Sequence, residues 1–172
     1  MEKAAQSGMT AEIAMNLFAY DCPASRQPEI PAEGGLYRCA MADVEEAAEM
    51  VTGFYTDIED EVPSLQDRVD KMKSYIEGNA LFFWKNGSGK TVACCSYTIN
   101  DRLASLSNVY TFPEERRKHY AQNLVYQVTR IVSDMGYTPM LYTDADYSAS
   151  NACYEKIGYI LRGKLCTLAL KK

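Results

Sequence analysis

Four consecutive residues, Arg116, Arg117, Lys118 and His119, are cationic or can become so, and an apolar helical stripe follows them. A helix start carries partial positive charge and unsatisfied N–H groups, so acidic residues belong there and basic ones are disfavoured. The run becomes favourable when a highly charged anion docks at the helix entrance, held by backbone N–H groups and flanking cations. A pyrophosphate fits that description. A solvated run partly neutralised by Glu114 and Glu115 is the commoner use of such charges. Its position favours the anion, because the run joins the strand-like Val109, Tyr110 and Thr111 to the helix instead of lying on an exposed helical face. A second polar turn, Asp144 to Tyr147, also leads from a strand into a helix. Asn151 and Tyr154 are three residues apart there and share a helical face. An amide can hydrogen-bond a peptide-like ligand arm and a phenol can protonate a leaving group. A tyrosine on a short helix more often serves packing alone.

These residues sit in elements with regular punctuation from Leu36 onward. Leu36 to Ala40 reads as a strand. Asp43 caps a helix with Val44, Ala47, Ala48, Val51 and Phe54 on one face, and a second helix opens at Pro63-Ser64 and closes at Gly78-Asn79. Leu81 to Trp84, Thr91 to Ile99 and Leu103 to Thr111 read as an antiparallel meander with turns at Asn86-Gly87 and Asn100-Asp101. The strongest stripe, Ala121, Leu124, Val125, Val128, Ile131, Val132 and Met135, predicts a long helix ended by Gly136. A strand over Pro139 to Thr143, a short helix over Ser148 to Lys156 and a strand over Tyr159 to Leu170 complete the order β-α-α-β-β-β-α-β-α-β. The expectation is an α/β (α+β) fold with a mixed central sheet and packed helices. Residues 1–34 read differently: Thr10 can cap a short helix through Leu17, after which Pro23, Pro28, Pro31 and Gly34-Gly35 break any pattern. They are expected to be an extension or linker that drapes over the domain or joins it to something else, with the domain proper at 35–172.

The two segments, in this order and spacing, resemble the GNAT superfamily of N-acetyltransferases. Arg116-Arg117-Lys118-His119-Tyr120-Ala121 is similar to its pyrophosphate motif, (Gln/Arg)-x-x-Gly-x-(Gly/Ala). Asn151-Ala152-Cys153-Tyr154-Glu155-Lys156-Ile157-Gly158-Tyr159 is similar to its later motif, Asn-x-x-(Ala/Tyr)-x-x-x-Gly-(Tyr/Phe). The resemblance implies a mostly antiparallel sheet of six to seven strands flanked by about four helices, and acetyl-CoA as cosubstrate. It implies that Arg116, Arg117, Lys118, His119, Tyr120 and Ala121 wrap the pyrophosphate, mainly through backbone N–H groups. Val109, Tyr110 and Thr111 would bind the pantetheine arm, Val109 and Thr111 through their backbones, and Asn151 would meet it from the other side. Tyr154 would contact the cosubstrate and act as general acid toward the departing thiolate. Two departures stand out. His119 occupies the family's glycine position, where a Cβ hinders close approach unless φ is negative; its ring either adds a phosphate contact or points to solvent. No carboxylate lies in Ser107-Asn108-Val109, where some relatives place a base. Glu114 is a base candidate by proximity, with a water relay or an already neutral amine as the alternative.

Composition narrows the function classes. A net charge of -5 gives no general affinity for nucleic acid, and 172 residues suit a single domain. Six cysteines form no C-x-x-C pair; adjacent Cys94 and Cys95 should point to opposite faces of a strand, and all six read as reduced core fillers. With one histidine, no metal site is expected. No signal peptide or membrane span is legible, so a cytoplasmic protein without a membrane partner is expected, as monomer or homodimer. The acidic stretch Asp57, Glu59, Asp60 and Glu61, between the two early helices, could attract a cationic amine, though a solvated loop is the commoner outcome. Tyr55, Trp84, Tyr97 and Tyr142 could line an apolar acceptor slot, but with 13 tyrosines most are expected to pack elsewhere. The favoured function is acetyl transfer from acetyl-CoA to a primary amine of a small-molecule or amino-acid-like acceptor. The alternatives are a protein or peptide N-acetyltransferase and a non-catalytic CoA-binding regulatory module.

Overall fold

The near-continuous apolar runs Leu81–Trp84 and Val92–Cys95 are buried on both faces of their strands, so helices must cover the sheet on two sides. The computed structural model, which describes residues 10–58 and 60–171, shows this arrangement. A seven-stranded sheet runs in the order β2-β3-β4-β5-β6-β1-β7. Its strands are β1 (Thr10–Asp21), β2 (Gly35–Arg38), β3 (Leu81–Lys85), β4 (Thr91–Asn100), β5 (Leu103–Thr111), β6 (Thr138–Asp144) and β7 (Ile160–Lys171). Among the described residues only β5 and β6 pair in parallel. The helices are α1 (Val44–Asp57), α2 (Leu65–Glu77), α3 (Tyr120–Asp134) and α4 (Ser148–Lys156), with 3₁₀ turns at Met41–Asp43 and Pro113–Glu115.

Each face of the sheet has its own core. The α3 stripe, Leu124, Val125, Val128 and Val132, packs with Phe82, Trp84, Cys95, Leu106 and Leu141. On the opposite face α1 and α2 bring Ala48, Met50, Val51 and Met72 onto Leu81, Phe83, Cys94 and Tyr110. Cys94 and Cys95 thus enter different cores, as strand alternation requires. The cysteines are free, but not all are core fillers: Cys153 is half-buried and Cys166 exposed. Of the aromatic residues considered for an acceptor slot, Trp84 and Tyr97 lie in the α3 core and Tyr142 is 54% exposed.

The N-terminal segment departs from expectation. Thr10 to Leu17 is not a helix but part of β1, which pairs antiparallel with β6 on one side and β7 on the other. Residues 10–21 therefore belong to the sheet and are not an extension of it; residues 1–9 lie outside the described residues. The helix and strand periods compete in this stretch, and long-range pairing decides the outcome. Within residues 22–34, hydrogen bonds reach β6, the end of α4 and β3. Cys22 N–H donates to Pro139 C=O (2.9 Å), Arg26 N–H to Ile157 C=O (2.9 Å), and Trp84 Nε1 to Glu33 C=O (2.8 Å).

Candidate active site

The site begins where β5 and β6 part. Their pairing spans only Leu103–Leu106 against Thr138–Leu141. Beyond it β5 bulges: β4 advances from Cys94 to Ser96 while β5 runs from Tyr110 to Ser107, which inserts one extra residue. Asn108 takes the strain at φ 50°. It is held there by its Nδ2, which donates to Ser96 Oγ (2.7 Å), and by its carbonyl, which accepts from Cys94 Sγ (3.3 Å). The edge of β5 facing β6 is thereby unpaired beyond Leu106, and a cleft of about 700 Å³ opens between the end of β5, the start of α3, and α4.

Val109, Tyr110 and Thr111 line one wall, and Arg116, Arg117, His119, Tyr120 and Ala121 line the entrance to α3. Arg117 and His119 are both left-handed, at φ 62° and 63°. Paired with neighbours of negative φ, such residues turn successive N–H groups toward one side. The amides of residues 117–122 have no acceptor among the described residues, and Asn123 is the first to donate back, to His119 C=O. The His119 φ is the unfavourable sign for a residue bearing a Cβ, although histidine enters this region more readily than most. Its ring is exposed beside Gln122.

The four basic residues do not act alike. Arg116 pairs with Asp57 at the end of α1, donates from Nε to Thr111 C=O (3.0 Å) and lies 5.8 Å from the Tyr110 ring centroid. Lys118 does not line the cleft; it pairs with Glu115 at 2.8 Å. Glu114 is not brought to the cleft either. It is exposed, 3.7 Å from Lys90, because the Pro113–Glu115 turn directs Glu115 inward instead. Lys118, then Lys90, holds the Glu115 carboxyl below the usual carboxylate range, so it is a poor proton acceptor.

On the opposite wall Tyr154 lines the cleft, 7% exposed, with its ring edge-on to Tyr159 at 5.9 Å. Burial raises its pKa well above the usual tyrosine value, and the Ser150 hydroxyl offsets part of this. Asn151 does not line the cleft. Its Oδ1 accepts from Thr143 Oγ1 (3.0 Å) and its Nδ2 donates to the carbonyls of Asp144 (3.2 Å) and Ala145 (3.3 Å), which fixes the β6–α4 turn. Tyr147 and Lys156 also line the cleft, unanticipated from sequence; Lys156 stood in the motif segment, but nothing in its spacing showed which wall it joins.

The residues present fit a phosphorylated pantetheine ligand. The Thr111 Oγ1 is buried without a hydrogen-bond partner, the α3 entrance offers unpaired amides, and Arg117 has no carboxylate within ion-pair distance among the described residues. Among the described residues no cluster of His, Cys, Asp or Glu could hold a metal ion, and no helix is long and apolar enough to cross a membrane.

Residues 86–168 match the family model described as FR47-like protein. The chain is similar in structure to an acetyltransferase of the GNAT family from Colwellia psychrerythraea (TM-score 0.72, 15% identity, covering 95% of this chain and 57% of that one). It is similar also to a GCN5-related N-acetyltransferase from Sphaerobacter thermophilus (TM-score 0.77, 13% identity, 99% and 55%). A third similar structure is a ribosomal-protein-alanine N-acetyltransferase from Brucella melitensis (TM-score 0.62, 14% identity, 70% and 81%). The chain spans just over half the length of the first two. No curated protein matches it by sequence.

Proposed function

The chain has the GNAT acetyltransferase fold, and from that premise we propose that it transfers an acetyl group from acetyl-CoA to a primary amine of a small-molecule or amino-acid-like acceptor. The observation that carries the proposal is the meeting, in one cleft, of the unpaired β5 edge, the upturned amides at the α3 entrance and the buried Tyr154 phenol. Acetyl-CoA supplies an activated acyl carbon whose C–S bond breaks as the amine nitrogen forms the new C–N bond.

The chain's own residues divide the remaining work. The amides following Arg116 hold the diphosphate, and Val109, through its N–H and C=O, and Thr111, through its N–H, offer main-chain partners to the amide-containing arm. An N–H from the same edge stabilises negative charge on the thioester oxygen. Tyr154 remains protonated at physiological pH and donates its O–H to the departing sulfur. An unperturbed thiol has a pKa of roughly 8.5, well below that of this phenol, so hydrogen-bond donation is favoured over complete proton transfer. Glu115 is locked by two ammonium groups, so the amine binds neutral, the proton it loses as the C–N bond forms goes to water, and the departing thiolate, hydrogen-bonded by Tyr154, takes up a proton from solvent.

Thermal unfolding with acetyl-CoA, using ATP as a polyphosphate control, tests cosubstrate binding; thiol release across a panel of primary amines tests transfer. Ligand at about a hundred times its dissociation constant adds roughly 2.7 kcal/mol. A shift with acetyl-CoA alone, followed by amine-dependent thiol release, is the expected result. Stabilisation without release for any amine would favour a binding module over an enzyme.

A further inference from the structure

Three cations line the cleft: Arg116, Arg117 and Lys156. Arg116 is already engaged by Asp57 and the Thr111 carbonyl. Lys118 and Lys90, which do not line it, converge on Glu115. Arg117 and Lys156 remain, one on the loop ahead of α3 and one on the last turn of α4. Both are exposed, and neither has a carboxylate within ion-pair distance among the described residues. A lysine near a helix C-terminus is favoured by the helix dipole, which accounts for its presence on α4 but not for its lining this cleft. Arg117 keeps a long side chain at φ 62°, where glycine would fit more easily.

We infer that Arg117 and Lys156 form a two-sided clamp for a phosphate monoester on the ribose of the cosubstrate. The site then prefers a 3′-phosphorylated carrier over its dephosphorylated form. The inference rests on the CoA-binding reading above and adds the selectivity. The two phosphate units of the diphosphate carry about one charge each and meet main-chain amides. A phosphate monoester carries about −1.5 to −2 near neutral pH and calls for cationic side chains. Opposed cations at the solvent-facing margin can meet such a group without burying either charge.

The test is calorimetric titration of the wild type, Lys156→Met and Arg117→Gln with CoA, 3′-dephospho-CoA and pantetheine. The wild type is expected to bind CoA roughly tenfold or more tightly than 3′-dephospho-CoA, with a preference that shrinks as salt rises. Each variant should lose most of that preference by weakening CoA alone, and pantetheine affinity should not move. Ligand-free melting temperatures establish that the variants are folded. Equal wild-type affinities for CoA and 3′-dephospho-CoA would overturn the clamp. Equal weakening of both in the variants would also overturn it, by placing the cations on the diphosphate. Failure of the wild type to bind CoA at all would instead remove the underlying reading, and the clamp with it.

Discussion

His119 shows what a single side chain costs at a position that needs φ 63°. The left-handed conformation disfavours a residue bearing a Cβ by roughly 1–2 kcal/mol, whereas glycine loses about 0.5–1 kcal/mol through its freer unfolded chain. His119→Gly should therefore stabilise the protein by up to about 1 kcal/mol, or some 2–4 °C for a domain of this size. Its CoA affinity should hold or rise, since the amides remain and the Cβ is gone. A lower melting temperature would show that the imidazole, beside Gln122, contributes more than its backbone costs. Tyr154 lines the same cleft. Tyr154→Phe should lower turnover by about 10²–10³-fold while leaving the CoA dissociation constant unchanged, because one O–H is removed and the ring stays in place. Unchanged turnover would remove the phenol from the mechanism but leave the fold intact. With its pKa raised by burial, Tyr154 should add no alkaline fall to the turnover profile below about pH 10, the unperturbed tyrosine value.

The elements hold these groups through less conspicuous contacts. Asn151 ties the β6–α4 turn through Thr143 and two carbonyls, and α4 carries both Tyr154 and Lys156. Asn151→Ala leaves the Thr143 hydroxyl and two carbonyls without that partner, a loss of about 1–3 kcal/mol. The expected result is a lower urea midpoint together with reduced turnover, since the wall bearing the phenol loosens. A stable variant with reduced CoA affinity would instead show that the amide touches the ligand arm. This residue marks where the sequence became hard to read. The motif located Asn151 on the right helix, but nothing in its spacing distinguished a ligand contact from a turn fastener. Likewise the charges at 114–119 were visible, yet only the Pro113–Glu115 turn decides that Glu115 faces inward and Glu114 outward. The order of elements from residue 36 onward was legible because the α3 stripe is helical throughout and the meander strands are short apolar or alternating runs bounded by turn residues. Thr10 to Asp21 has no such dominance. Its strand pairing is set by β6 and β7, more than a hundred residues away in sequence.

At the scale of the molecule, β1 holds β7 to the rest of the sheet. Among the described residues β7 pairs with β1 alone, and β1 connects it to β6. A chain lacking β1 would expose the edge of β6 and leave β7 unpaired, so it should be recovered mainly as aggregate. Recovery of a soluble, CoA-binding fragment 35–172 would show that β7 can find another partner. The buried thiols give the intact fold a second global property. Burial pushes Cys22 and Cys153 up to about 11 and Cys94 up to about 12, from an ordinary value near 9. An unfolded chain releases these protons near pH 9, while the folded chain retains them until pH 11–12. The unfolded state thus binds fewer protons across that interval, and stability falls as pH rises. The contribution is present in full below pH 9 and is lost progressively from pH 9 to 12. Melting temperatures measured under reducing conditions should be level with respect to these thiols up to about pH 8.5, then decline. Replacing Cys22 and Cys94 by alanine would lower stability at pH 8 through lost packing. The decline above pH 9 should nevertheless become shallower, so the slope distinguishes proton linkage from packing. An unchanged slope would place the alkaline sensitivity in the other buried thiols, Cys39 and Cys95, or in the buried tyrosines instead.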